Sequence, residues 1–411
     1  MNKRKNMKAF MVAVMAAMLL VPLTLSAQKK SGDERQADRY RMAMDLYQKQ
    51  KYAAAQQIFD EVAGSSESGE WRAEAAYYAG VCSEKLDNDD AYYRLEEFLR
   101  LYPQSSRQNM ARFYLGNFYY ARGYYERALG YYTAVDGKEV EYDHRSEYNF
   151  KKGYCYFQKG DTKKAADLFS QQVGGKSKYR NSSLYYYAHI QYMNGQYDLA
   201  LKNFRELQTD KKFAKIAPSY IARIYYYLGK DDELLEMAPD LLKEQDAFKR
   251  SEIHQMVGEV YFKRGEYSRA IEQYRAQSAE ARREQGGSCT PQDNDYQIGY
   301  SYYMLGMYDT ATSYLENKTK CSDSVAQNAM YMLGDCYLRM DRKMDALSMF
   351  LQASKMDFNK RVKEDAMFNY AKLSCELNRN AMGENIKSFE NYIKKYHVVI
   401  RMRQGHYEKV A

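Results

Sequence analysis

One spacing governs this chain of 411 residues. Starting from Gly116, a tyrosine follows three residues on (Tyr119), a glycine seven on (Gly123), an alanine twelve on (Ala128) and a large ring sixteen on (Tyr132). The same offsets return from Gly153 (Tyr156, Gly160, Ala165, Phe169), from Gly258 (Tyr261, Gly265, Ala270, Tyr274) and from Gly299 (Tyr302, Gly306, Ala311, Leu315). Weaker copies fill the intervals. The leading small residue recurs at Ala43, Gly80, Gly116, Gly153, Ala188, Ala222, Gly258, Gly299, Gly334 and Ala371, a mean period of about 36 residues, which is the mark of a repeat architecture. Below, positions are counted from this small residue.

Each position has a physical reason. A small residue in one helix lets a second helix come close, where the +12 position is also small (Ala55, Ala165, Ala200, Ala346, and Ala91 at +11 in the second repeat). One turn later, on the same face, stands a large apolar plug such as Phe59, Leu95, Phe204 or Phe350. The +7 glycine sits between the helices, where a tight turn favours positive φ. Twelve of the 23 glycines fall at these two positions. The pattern resembles the tetratricopeptide repeat, a helix–turn–helix unit, from Arg35 to about Tyr396. The resemblance implies an all-α, right-handed superhelical solenoid of about ten repeats, in which each repeat touches only its neighbours. Five prolines in the whole chain leave it few breaks.

Three places depart from the pattern. The second repeat is one residue shorter between Gly80 and Ala91, and its ending, Phe98 to Ser105 through Pro103, resembles a variant found in envelope proteins of the outer-membrane-assembly and TolA-binding type. The sixth is degenerate, with Leu234 and Ala238 at the small and plug positions, and is expected to soften or bend the stack. An insertion around Gly286-Gly287-Ser288-Cys289-Thr290-Pro291 reads as a surface loop.

The first residues read as a targeting segment. Lys3, Arg4, Lys5 and Lys8 precede an apolar run from Ala9 to Leu23, and Leu25-Ser26-Ala27 offers a cleavage site before Gln28. An uncleaved anchor is the alternative, although the run is shorter than the ~20 residues that span a bilayer. No cysteine follows, so a lipoprotein is not expected. The ending Ser-Ala-Gln resembles leaders of exported proteins from Bacteroides-like bacteria. The expected organisation is therefore a signal peptide at 1–27, a lead-in at 28–34, the solenoid at 35–396 and an irregular tail at 397–411. No transmembrane segment is expected in the mature chain, which places it in the periplasm or at the outer-membrane periphery. Removing the leader leaves 58 basic against 54 acidic residues, about +4, too mild to call for nucleic acid.

Catalytic motifs do not appear. Gly174-Gly175-Lys176-Ser177 imitates the end of a phosphate loop, but Ser170 stands where glycine is required. His254 is followed by Gln255-Met256-Val257-Gly258, which is no zincin helix. Asp87, Asp89 and Asp90 fill a turn with no calcium-loop glycine or bidentate glutamate, and read as a capped turn. No enzyme, cofactor or metal is expected.

The 44 tyrosines carry the functional signal. The +3 set (Tyr119, Tyr156, Tyr225, Tyr261, Tyr302, Tyr337) is ordinary packing. A −3 set comprises Tyr40, Tyr77, Phe113, Phe150, Tyr185, Tyr296, Tyr331 and Phe368, and a +4 set comprises Tyr47, Tyr120, Phe157, Tyr192, Tyr226, Phe262 and Tyr303. The resemblance implies that the −3 and +4 sets, Tyr47 apart, face a concave groove together with Asn117 and His189. Two readings stay open: rings that only cover neighbouring repeats, or a groove for an extended peptide, which tyrosine suits through large area at low entropy cost. If they are contact residues, Tyr185→Ala or Tyr296→Ala weakens binding and barely shifts unfolding. A tail-carboxylate ligand is disfavoured, because that clamp needs Lys where Phe113 stands. The function this supports is an envelope scaffold for protein partners. The alternative is a glycan or peptidoglycan module, since aromatic faces also suit sugar rings.

Six cysteines complete the reading. Cys82, Cys155 and Cys336 lie at +2 as small buried fillers, and Cys375 is similar. Cys289 and Cys321 flank the eighth repeat at one end of its hairpin and are expected to pair, closing a loop of about 33 residues worth roughly 3–4 kcal/mol, or else to be two exposed thiols. After Tyr396 the repeat stops without a polar cap, so a truncated piece of a longer array is also expected.

Overall fold

The computed structural model describes residues 32–66, 69, 71–243, 249–284 and 294–377. These residues form nineteen α-helices, one 3-10 turn at Glu316–Lys318 and no strand. The all-α expectation holds. The leader, the insertion around Cys289, residues 378–396 and the tail lie outside the described residues.

The chain divides into two compact units, residues 1–183 and 184–411. The first contains α1 (Gly32–Gln48), α2 (Tyr52–Gly64), α3 (Trp71–Lys85), α4 (Ala91–Leu101), α5 (Gln108–Ala121), α6 (Tyr125–Thr133), α7 (Tyr142–Gln158) and α8 (Thr162–Val173), paired as four hairpins. The division falls inside α9 (Arg180–Met193). The second continues with α10 (Tyr197–Leu207), α11 (Ala217–Tyr227), α12 (Asp231–Lys243), α13 (Arg250–Lys263) and α14 (Tyr267–Glu284). It ends with α15 (Asp295–Met304), α16 (Tyr308–Leu315), α17 (Ser324–Arg339), α18 (Lys343–Lys355) and α19 (Lys360–Leu377). Helix α1 starts three residues before the solenoid was expected to begin.

Every described turn within a hairpin is built the same way. The +7 residue has positive φ in all nine: glycine in six, and Gln50 (58°), Asp87 (56°) and Asp341 (56°) in the rest. At Gly123 its amide donates to the Tyr120 carbonyl (3.1 Å), and the Tyr124 amide donates to the Tyr119 carbonyl (2.9 Å). This is the Schellman closure, which satisfies the orphan carbonyls of a helix end. The same pair closes the Gln50 turn, through Tyr47 and Leu46 (2.9 Å each). The turn therefore belongs to the repeat, and glycine only makes it easier.

Close approach explains the small position, with one refinement. A Cβ built on Gly116 falls 2.5 Å from the Tyr132 ring, and one on Gly334 falls 2.7 Å from Phe350. Gly80, Gly258 and Gly299 meet Leu95, Tyr274 and Leu315 at 2.8–2.9 Å. What the glycine admits is thus the plug itself, fully buried in each case. The aspartates of the Asp87 turn do not cap α4. Asp87 and Asp89 pair with Arg122 (3.1 Å each), and Asp90 accepts from Ser83 and Arg94 (2.5 Å each). In the degenerate sixth repeat Leu234 and Ala238 are both buried and Pro239 lies inside α12. Cys82, Cys155 and Cys336 are buried, and burial pushes each thiol up to about 12.

Replacing Gln50 by glycine is expected to stabilise the chain by about 0.5–1 kcal/mol, because the left-handed conformation costs a side chain roughly 1–2 kcal/mol while glycine's extra unfolded entropy returns part of that. Gly116→Ala is expected to destabilise by about 1–3 kcal/mol through overpacking against Tyr132. Denaturant midpoints at constant slope check both; a Gly116→Ala protein as stable as wild type would remove the close-approach explanation.

Candidate functional site

The two aromatic sets on the first-helix face have different jobs. The −3 rings lie against their own plugs: Tyr40 on Phe59 (5.8 Å between centroids), Phe113 on Tyr132 (6.4 Å), Phe150 on Phe169 (5.9 Å), Tyr185 on Phe204 (6.2 Å) and Tyr331 on Phe350 (5.7 Å). Of this set, Tyr77, Phe113 and Phe150 are buried, Tyr40, Tyr185, Tyr296 and Tyr331 half-buried, and Phe368 exposed. Four of the +4 side chains instead reach the +1 residue of the next repeat, while Tyr192 meets Tyr220 (5.5 Å) and Tyr227 (6.1 Å) there. Tyr120 meets Tyr154 (5.6 Å) and Phe262 meets Tyr300 (5.2 Å). Tyr226 donates its hydroxyl to Glu259, and Tyr303 donates to Asp335 (2.5 Å). Tyr120, Phe157, Tyr192, Tyr226, Phe262 and Tyr303 are all half-buried. They are fixed by a neighbour and still reachable.

In the first unit this face is polar as well as aromatic. Asn117 is buried and occupied: its carbonyl accepts from Tyr132 (2.8 Å) and Lys151 (3.0 Å). Lys151 also donates to Glu147 (2.6 Å) and, against the effect of burial, holds that carboxyl below the usual carboxylate range. Burial holds Glu84 above it. Arg107 ties three repeats together, bonding Glu74 (3.1 Å) and Glu141 (3.2 Å) and lying 5.4 Å from the rings of both Tyr77 and Tyr78. Asn117, Tyr77, Phe113 and Phe150 therefore belong to the interior and not to an open groove.

In the second unit Tyr185 stacks on Phe213 (4.9 Å) and on the His189 ring (6.2 Å). His189 is half-buried with Tyr220 edge-on at 5.5 Å; burial, with Arg223 and Lys249, holds its imidazole below the ordinary value. Arg223 is buried and pairs with Glu252 at 2.6 Å. Tyr296 lies beside Tyr300 (6.4 Å). The residues missed from sequence are the other +1 positions, Tyr154, Arg223, Glu259, Tyr300 and Asp335. The signal was present, because Asn117 and His189 occupy that same position. Among the described residues no group of three or more His, Cys, Asp or Glu is placed to hold a metal, and no helix is long and apolar enough to cross a membrane. Cys321 is exposed, while Cys289 lies outside the described residues.

The family description "Tetratricopeptide repeat" matches residues 74–105 and 328–355, which cover most of α3–α4 and α17–α18. The chain carries tetratricopeptide repeats. Lipopolysaccharide assembly protein B of Escherichia coli K12 is 26% identical over 202 residues, 48% of this chain and 51% of that protein, and its counterparts in strains O6:H1 and O157:H7 match equally. The chain spans about half the length of these curated relatives. Among solved structures, a tetratricopeptide repeat protein from Parabacteroides merdae aligns over 60% of this chain and 93% of its own at 15% identity, with a TM-score of 0.37. Pseudomonas aeruginosa pilF aligns over 55% and 99% at 15% identity, with a TM-score of 0.41.

These repeats place Tyr185 among five rings, those of Tyr186, His189, Phe204, Phe213 and Tyr220, so the expectation that it is dispensable for stability is revised. Tyr185→Ala is predicted to cost about 2–4 kcal/mol, whereas Tyr227→Ala, at a side chain 54% exposed, is predicted to cost under about 1 kcal/mol. Thermal unfolding of the two variants decides between packing and display; equal losses would show that the aromatic face is all packing.

Proposed function

We propose that this protein is a non-enzymatic interaction scaffold of the bacterial envelope, exported by residues 1–27, which holds an extended segment of another protein on its tyrosine-rich first-helix face. The observation that carries the reading is the +4 to +1 pairing. Packing alone calls for buried rings, yet Tyr120, Tyr226 and Tyr303 are held by the +1 residue of the next repeat with part of each ring still accessible. Rings fixed in this way lose little entropy when a ligand covers them, which favours binding. The envelope assignment draws on the leader-like start, with its four cations before an apolar run, and on a relative named for lipopolysaccharide assembly.

The test immobilises the mature chain and its Tyr227→Ala variant, and challenges both with envelope extract before and after muramidase digestion. The expected result is a defined protein band that survives digestion and falls at least fivefold with Tyr227→Ala, at an unchanged unfolding temperature. Retention only of intact sacculi would replace the protein ligand with a glycan. Equal retention by both chains would move binding off this face.

A further inference from the structure

Within the second unit, successive junctions between repeats differ in one respect. Where repeats eight and nine meet, Arg339 at +5 lies over Tyr303 (5.6 Å) and Tyr308 (5.2 Å). It donates through Nε to Asp335 (2.6 Å) and through Nη1 to the Tyr308 hydroxyl (3.1 Å), while Tyr303 donates to that same carboxylate. Where repeats six and seven meet, the +5 residue is Lys263, 5.0 Å from the Tyr226 ring, and Tyr226 bonds Glu259. At both junctions the chain supplies its own cation to its own tyrosine.

The junction between them does not. Repeats seven and eight bring together Phe262 at +4, Tyr267 at +9 and Tyr300 at +1, with centroids 5.9, 5.2 and 6.1 Å apart. All three are half-buried. The +5 residue here is Met304, 46% exposed, and no described lysine or arginine stands over any of the three rings. The +1 residues of the repeats on either side are the carboxylates Glu259 and Asp335. The earlier junction of Tyr192, Tyr197 and Tyr227 is a poorer cation site, because buried Arg223 stands at its +1 position.

We propose that the Phe262–Tyr267–Tyr300 box receives an arginine or lysine side chain of the bound segment, in the place that Arg339 and Lys263 fill at the neighbouring junctions. The inference rests on the first-helix face being the binding surface. Aromatic faces attract a cation through their quadrupole, strongly enough to change affinity about three- to thirtyfold. The partner is then an extended segment with at least one cationic side chain, not an acidic tail.

The experiment selects twelve-residue peptides from a random displayed library on the full mature chain. The best binders are remade with each arginine replaced by citrulline, or each lysine by acetyl-lysine, which keeps shape and removes charge. Their affinities are measured on wild type and on Met304→Arg, a change at an exposed position that installs the missing +5 cation. One substitution in the peptide is expected to weaken wild-type binding about three- to thirtyfold and to matter less than twofold on Met304→Arg, whose own affinity for the parent peptide falls. Binders indifferent to charge, or penalised equally on both proteins, would overturn this inference and leave the scaffold reading intact. A library that yields no binder at all would remove both.

Discussion

The contact on which the rest of this structure depends is a buried ring or leucyl group lying where a side chain of the facing helix would otherwise be. At Gly116 there is no room for even one methyl group beside Tyr132. That approach fixes the distance between the two helices of a hairpin, and the left-handed residue at +7 fixes their reversal. With both set, the face that each first helix offers to the next repeat follows. Interiors packed this tightly are not free to slide, so the +4 side chains of Tyr120, Tyr226, Phe262 and Tyr303 each arrive at the +1 side chain of the next repeat.

Regular placement turns a packing scheme into a display. The −3 rings are used up on the plugs, which they help to cover. The +4 rings are anchored at one end, by a hydroxyl bond to Glu259 or Asp335 or by edge contact with Tyr154 or Tyr300, and expose the remainder. Where the +1 residue is a carboxylate, a +5 cation from the same helix completes the arrangement. Where it is a tyrosine the rings form a box: at Tyr154 the chain's own Lys151 stands 5.3 Å from the Tyr120 ring, whereas at Tyr300 no described cation of the chain lies over the rings. Differences among junctions, more than the tyrosine count, are what can make such a face selective.

Much of this was legible in the sequence because the repeat constrains it. Gly80, Gly116 and the +7 glycines announce helix, turn and close approach by spacing alone. The turns at Gln50, Asp87 and Asp341 were less visible, since nothing in a glutamine or aspartate reports that its backbone is left-handed; only the register with the glycines does. The burial of Tyr77, Phe113 and Asn117 was not legible either. These residues share positions with half-buried ones, and what separates them is the local depth of the stack, set by neighbours such as Tyr114, Tyr132 and Lys151. The +1 carboxylates were overlooked because charged residues on a helix read as solvated until a tyrosine one repeat away is seen to bond them.

On the proposed reading, binding falls on the first-helix face, joined at the box by Tyr267 from the start of α14, while the outer faces of the second helices serve as scaffold. Hydroxyl-radical footprinting of the full mature chain, with and without a bound partner segment, tests this directly, because tyrosines report from both faces. Tyr192, Tyr226, Tyr300 and Tyr303 are predicted to lose reactivity on binding, while Tyr93 on α4, 60% exposed, keeps its own. Protection of Tyr93 with no change at the four first-helix positions would contradict the account.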